Sequence, residues 1–350
     1  MRLVHGGDTV GYREKYGRDA LDFSANVSPL GMPEAVARAI GEAAFEADKY
    51  PDPLCRGLRA ALSEAEQLPK DWMLCGNGAA DLIFRLVWAK RPKHALVLAP
   101  TFAEYAAALE TADCEVRRYL LTERNDFALT EGILAAIEPP FDMVFLCQPN
   151  NPTGQAADRA LMRRILAKCE AVGALLVVDE CFLDFLPDSE AWTMKPDLAA
   201  HANLFILKAF TKLYGMAGVR LGYGLCSDAD LLARMRNAGQ PWSVSSLAQA
   251  AGLAALGQTE YVAEVRALIE TERPYLLSGL RALGLRAIEG RANYLLFRAD
   301  AGLGDRLEAL GVVIRRCGNY PGLDETWYRT AVRTRRENDA LLAALWEALA

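Results

Sequence analysis

Four polar groups of different chemical type stand at the ends of apolar runs in this sequence. Asp179 closes the aliphatic run 174–178. A carboxylate in that position is half-buried and needs a cationic or donor partner. A helix N-cap, a structural ion pair or a pyridinium nitrogen would each serve, and the last would keep a bound heterocycle protonated as an electron sink. Lys212 follows the run 203–207 in a glycine-containing segment, eight residues before Arg220. A lysine is ordinarily a surface residue. Desolvated beside another cation, it would lose its proton more readily and could form a Schiff base. Arg220 enters the apolar run 219–225 and there requires an anion, for which phosphate is a good bidentate partner. Gly76-Asn77-Gly78-Ala79-Ala80-Asp81 precedes a helical stretch. Glycines and small residues at that point let backbone N–H groups reach an anion at the positive helix end, although a simple capped loop has the same composition. Phe102, after Pro100-Thr101, is either core or a stacking surface for an aromatic ring.

The elements that must position these groups alternate along the chain. Short apolar runs at 95–99, 142–147, 174–179, 203–207 and 219–225 are separated by helical periods. Continuous apolar strands between helices predict a parallel sheet covered on both faces, an α/β architecture over roughly 45–240. Ligands of such sheets lie beyond the carboxyl ends of the strands, which is where Gln148-Pro149-Asn150-Asn151-Pro152-Thr153-Gly154, Asp179 and Lys212 fall. The first thirty residues are irregular and read as an arm. After 245 a long helical stretch, 246–283, precedes alternating runs at 292–298, 312–316 and 328–332 and a final helix over 335–349. These predict a second, smaller domain.

Composition narrows the function. The chain has 350 residues, a net charge of −6, eight scattered cysteines and three histidines. An acidic chain offers no field for nucleic acid or an anionic membrane. No apolar run approaches the ~20 residues of a membrane span, and the N-terminus shows no signal peptide. No cysteine pair forms C-x-x-C, so free thiols in the cytoplasm are expected. Three histidines make a metal site an unlikely expectation, and none is predicted. No dinucleotide or P-loop fingerprint occurs.

Taken in order, the phosphate-nest glycines, the aromatic after Pro-Thr, Asn-Asn-Pro-Thr-Gly, Asp-Glu after a strand, Thr-Lys and the following arginine resemble the fold-type I pyridoxal-phosphate (PLP) enzymes of the class I/II aminotransferase family. The resemblance spans nearly the whole chain. It implies the aspartate-aminotransferase fold: an arm (1–32), a large domain with a mostly parallel seven-stranded sheet (33–240, of which 33–47 could pack with the small domain) and a small α+β domain (241–350). It implies pyridoxal 5'-phosphate as cofactor, with Lys212 as the Schiff-base lysine and Asp179 on the ring nitrogen. Asn151 would meet the ring's phenolic oxygen and the substrate, and Phe102 would cover the ring face. Gly78, Ala79, Ala80, Thr211 and Arg220 would hold the phosphate. Tyr50 would reach across a homodimer with shared active sites, and Arg329 would bind the substrate carboxylate.

A narrower resemblance rests on His5-Gly6-Gly7, the segment 22–31, 179–185, 316–323 and Ala331-Val332-Arg333-Thr334. It points to the subgroup that decarboxylates O-phospho-L-threonine, or a related O-phospho amino acid, to aminopropanol phosphate and CO2 in cobalamin biosynthesis. The sister subgroup transaminates histidinol phosphate with 2-oxoglutarate. That subgroup carries Asn-Glu-Asn-Pro in the arm, Tyr where Phe182 stands and Gly where Arg333 stands. A non-catalytic binding protein on the same fold is the remaining class, and an intact Lys212 and Asp179 argue against it. For the substrate phosphate the candidates are His5, Asn26, and Arg333 or Arg316, with Arg333 expected on the strand face of Arg329. The chain departs from the decarboxylase pattern at Asp8, at Ala209, where serine is common, and at Gly318.

Overall fold

The computed structural model describes residues 5–350. Its main sheet has seven strands in the spatial order Met73–Gly76, Gly222–Leu225, Leu204–Ala209, Leu175–Asp179, Met143–Cys147, His94–Ala99 and Glu115–Leu120. Every strand but Gly222–Leu225 runs in one direction. The central strands are buried along their whole length, which is why they read as unbroken Val, Ile, Leu and Phe. Helices such as Gly78–Lys90 and Arg159–Ala171 bury Leu82, Ile83, Ile165 and Leu166 against the two faces.

Two strands escape the sequence reading. Glu115–Leu120 is an edge strand whose residues are mostly exposed, so it carries Glu115, Arg117 and Arg118 instead of an apolar run. Met73–Gly76 is short and ends in glycine. The run 219–225 is also shorter as a strand than expected, because Arg220 has φ 61° and only Gly222–Leu225 pairs.

A second sheet, Arg315–Arg316, Trp327–Ala331, Tyr294–Arg298 and Arg286–Ala287, is wholly antiparallel. Helices Thr259–Ala282 and Arg335–Leu349 cover it, burying Ile269, Leu276, Leu341 and Leu345. The stretch 246–283 is two helices, Ser246–Leu256 and Thr259–Ala282. The first packs on Glu34–Ala44 and Arg56–Glu66 and shares its buried Ala248, Ala251 and Ala255 with Leu58 and Leu62, so its core is that of the large sheet. The arm is more ordered than its composition suggests. Helix Thr9–Tyr16 is capped by the Asp8 carboxylate, and Leu21–Asp22 pairs in parallel with Val312–Val313. Phe23 is fully buried in the small-sheet core. Among the described residues, no helix is long and apolar enough to cross a membrane.

Candidate active site

The strand register brings the chemistry to one edge of the large sheet. Asp179 lies beside Cys147 and Leu207, and Gly76, Gly222 and Ala209 form a row next to them. Above this edge is a cavity of about 620 Å³. Asp179 sits on its floor, 5% exposed. Its Oδ2 accepts from the Tyr105 hydroxyl at 2.6 Å, and its Oδ1 accepts from the Cys181 N–H at 3.0 Å. Tyr105 is fully buried, stacked on Phe145 with 5.0 Å between ring centroids, and the desolvated site raises its hydroxyl pKa well above the ordinary value.

Lys212 lies in the single helical turn Phe210–Leu213 that follows strand Leu204–Ala209, not in a glycine loop. Burial, then the Arg329 and Arg220 guanidiniums, push its ammonium pKa down to about 8, against the opposing pull of Cys181 and Asp179. Its Nζ lies 5.7 Å from the centre of the Phe182 ring. An amine in this state is a ready nucleophile and proton carrier.

The anion end of the cavity is built from a helix terminus. Helix Gly78–Lys90 has no side chain capping its first turn, and Ala79 and Ala80 line the cavity there. Gly78 has φ +82°, and a Cβ on it would lie 2.7 Å from an Arg220 terminal nitrogen. The bare backbone is therefore what lets Arg220 close over the helix end. Arg220 is exposed and donates to the Ala217 carbonyl at 3.2 Å, and Thr211 is buried alongside. Orphan N–H groups, a guanidinium and a hydroxyl together suit a phosphate monoester. The aromatic ring of such a ligand has Phe102 available on the same cavity, where Phe102 stands edge-to-face on Tyr105 at 5.5 Å.

Arg329, on strand Trp327–Ala331, is 5% exposed and held on several sides. It donates to the Asn151 side-chain oxygen and, at 2.8 Å, to the Ser24 carbonyl. The Asn26 amide, oriented with its oxygen toward the guanidinium, accepts at 3.1 and 3.2 Å. His5 and Glu104 close the same cavity.

Some expected residues lie elsewhere. Tyr50 is 80% exposed and stacks on Trp242, away from this chain's cavity. Arg316 pairs with Asp305 and Glu308 on helix Leu303–Leu310. Arg333 does not reach the cavity, because the strand ends at Ala331 and the alternation of faces ends with it. Its guanidinium pairs with Glu337, one helical turn on, and donates to the Asp22 carbonyl. Gly318 lines a smaller neighbouring cavity of about 380 Å³, where a Cβ would press on the Glu325 carboxylate at 2.5 Å. Replacing Arg333 by alanine is accordingly expected to cost about 0.2–1 kcal/mol of stability, as a partly exposed ion pair does, and to leave KM for substrate within about twofold, close to the resolution of a kinetic free-energy comparison. Thermal melting and initial-rate kinetics check both.

Contributors that were not foreseen include Tyr105, Tyr320 and Arg315, at or beneath the cavity. Arg315 is directly opposite Arg329 across the antiparallel pair. It is 8% exposed, opens on the cavity, and donates to the Arg316 carbonyl at 2.6 Å and the Asn319 side-chain oxygen at 2.8 Å.

A desolvated lysine, a buried carboxylate, an uncapped helix end with an arginine and an aromatic wall, all around one cavity, have the chemistry that a pyridoxal-phosphate site requires. The chain belongs to the class I and II aminotransferase family, whose sequence model matches residues 18–345. It is similar to the threonine-phosphate decarboxylase of Salmonella typhimurium, at 40% identity over 93% of this chain and 90% of that protein. It is 36% identical to the histidinol-phosphate aminotransferase of Symbiobacterium thermophilum, over 96% of this chain and 93% of that one. Among solved structures, the histidinol-phosphate aminotransferase of Clostridium acetobutylicum superposes with a TM-score of 0.88 at 27% identity, covering 94% of this chain and 98% of that one. The protein is an enzyme of this family, and its cofactor is pyridoxal 5'-phosphate.

Proposed function

We propose that the enzyme decarboxylates O-phospho-L-threonine, or a closely related O-phospho amino acid, to an aminoalkyl phosphate and CO2. The observation that carries this is the pair Arg315 and Arg329, opposite one another on one sheet face and both opening on the cavity. Like charges in facing positions destabilise a sheet. A ligand with two anionic groups relieves that cost, and a phosphorylated amino acid has a carboxylate and a phosphate. In this reading Arg329, oriented by Asn26, Asn151 and Ser24, takes the carboxylate, while Arg315 and His5 take the phosphate. The similarity to threonine-phosphate decarboxylase supports the same assignment.

The cofactor, when bound, supplies the electron sink for the pair left at Cα. The chain's residues do the rest. Asp179, held by Tyr105 and Cys181, would partner the ring nitrogen. Ala79, Ala80, Thr211 and Arg220 would hold the cofactor's phosphate, and Phe102 would lie beside its ring. The two arginines would hold the substrate's two anionic groups and so orient its Cα. Lys212 Nζ is the group placed to return a proton to Cα once CO2 has left.

Tyr50 and Trp242 form an exposed aromatic pair at the surface. That exposure supports a homodimer in which Tyr50 completes the site of the partner subunit. Eight free, buried cysteines suit a reducing cytoplasm.

Product analysis with O-phospho-L-threonine, O-phospho-L-serine and histidinol phosphate, with and without 2-oxoglutarate, tests the function. CO2 release without a keto acid is expected. Amino transfer that depends on 2-oxoglutarate would place the enzyme with the aminotransferases instead. Arg315→Ala should raise KM for the phosphorylated substrate by about 10–100-fold, the loss of one charge-assisted contact of roughly 1.5–3 kcal/mol.

A further inference from the structure

The arm is built over the cavity as a fitted piece. The Gly7 N–H donates to Ser24 Oγ at 2.7 Å, and Ser24 Oγ donates to the Asp22 carboxylate at 2.6 Å. A Cβ on Gly6 would lie 2.5 Å from the Ser24 carbonyl, so the two arm segments touch backbone to backbone. That same Ser24 carbonyl accepts from Arg329. One clamp therefore ties the start of the arm to the carboxylate-binding arginine.

The second clamp comes from the large domain. His5 Nε2 lies 2.6 Å from Glu104 Oε1, and its ring centre lies 5.7 Å from that of Phe102. Glu104 opens helix Glu104–Glu110, two residues after Phe102. Both partners line the cavity that holds Arg315 and Arg329. The His5 side chain is 48% exposed and that of Glu104 is 23% exposed. A carboxylate on this wall would repel an anionic substrate, and the contact with His5 turns the Glu104 oxygen away from the open cavity toward the ring. With Nε2 committed to Glu104, Nδ1 is the nitrogen left for a ligand. Nδ1 can donate to a phosphate oxygen when it carries a ring proton.

We propose that Glu104 is a specificity-determining positioning residue, holding His5 at the cavity wall as a hydrogen-bond donor to the substrate's phosphate. This rests on the phosphorylated-substrate reading above. In this reading Glu104 acts through His5. The pair also separates two jobs along the arm: Ser24 serves the carboxylate end of the substrate, and His5 serves the phosphate end.

A double-mutant cycle of the holoenzyme tests the proposal, with kcat and KM measured on O-phospho-L-threonine and on L-threonine for wild type, Glu104→Ala, His5→Ala and the double variant. Cofactor absorbance and melting temperature confirm that each variant folds and loads. Glu104→Ala is expected to lower the preference for the phosphorylated substrate about tenfold, a change of roughly 1.4 kcal/mol, and to do so mainly through KM. His5→Ala should have a similar effect, and the double variant should be no worse than either. Glu104→Asp should restore part of the preference. Equal losses on both substrates, or additive losses in the double variant, would overturn the proposal while leaving the functional reading in place. A wild type that handles both substrates alike would overturn the reading, and the proposal with it.

Discussion

Lys212→Ala is expected to lower turnover by at least about 10³-fold, within the range that a positioned acid–base and covalent group contributes. Borohydride reduction of the wild-type holoenzyme should fix the cofactor on the peptide containing Lys212, and labelling of any other lysine would remove the assignment. The same residue makes a second, independent prediction for the apoprotein. Burial and the two arginines bring its pKa from 10.5 to about 8. Between those values the unfolded chain binds more protons than the folded one, so stability from this group rises with pH through the window. Below pH 8 the penalty is fully present, on the order of 3 kcal/mol at 1.36 kcal/mol per pKa unit. Lys212→Met, which keeps the volume and removes the charge, should therefore melt at a higher temperature than wild-type apoprotein at pH 7. The gap should close as the pH approaches 10.5. A variant that melts lower at pH 7 would show that the ammonium is solvated.

The chemistry was legible wherever a residue ends a strand. Asp179, Asn151 and Lys212 each follow an apolar run, and parallel sheets gather such positions at one edge, so their meeting could be read from the sequence order alone. Arg315 was not legible, because its place depends on register. Arg315 and Arg316 are adjacent, and only the pairing of Arg315 with Arg329 decides which one faces the cavity. A one-residue shift would exchange them. Arg333 failed for the related reason that the strand stops two residues short of it. Tyr105 reaches Asp179 from 74 positions away, through a helix whose buried face looks like any other. The one available signal was its place just after the Pro100-Thr101-Phe102 turn at the carboxyl end of a strand. The arm was underrated because Phe23, Ser24 and Asn26 act through contacts with the small domain that local composition does not record.

Asp179→Asn is expected to lower kcat by about 10²–10⁴, the range that a positioned ionisable group contributes to a proton-dependent step, each 1.36 kcal/mol being tenfold in rate. The substitution keeps the shape of the side chain. The Cys181 N–H can still be accepted by the amide oxygen, and the Tyr105 hydroxyl then faces an amide nitrogen where it faced an acceptor. What is lost is the negative charge that keeps a proton on the ring nitrogen, and with it the strength of the electron sink. Cofactor loading should change far less than turnover if, as proposed, Ala79, Ala80, Thr211 and Arg220 hold the other end. Tyr105→Phe provides the graded control. It keeps the carboxylate and removes one hydrogen bond to it, worth roughly 1.5–3 kcal/mol, so its loss should be about 10–100-fold and should fall between wild type and Asp179→Asn. Visible absorbance gives the loading, and CO2 release gives the rate. If Asp179→Asn keeps turnover within tenfold of wild type while fully loaded, the carboxylate is structural, and the electron sink works without it.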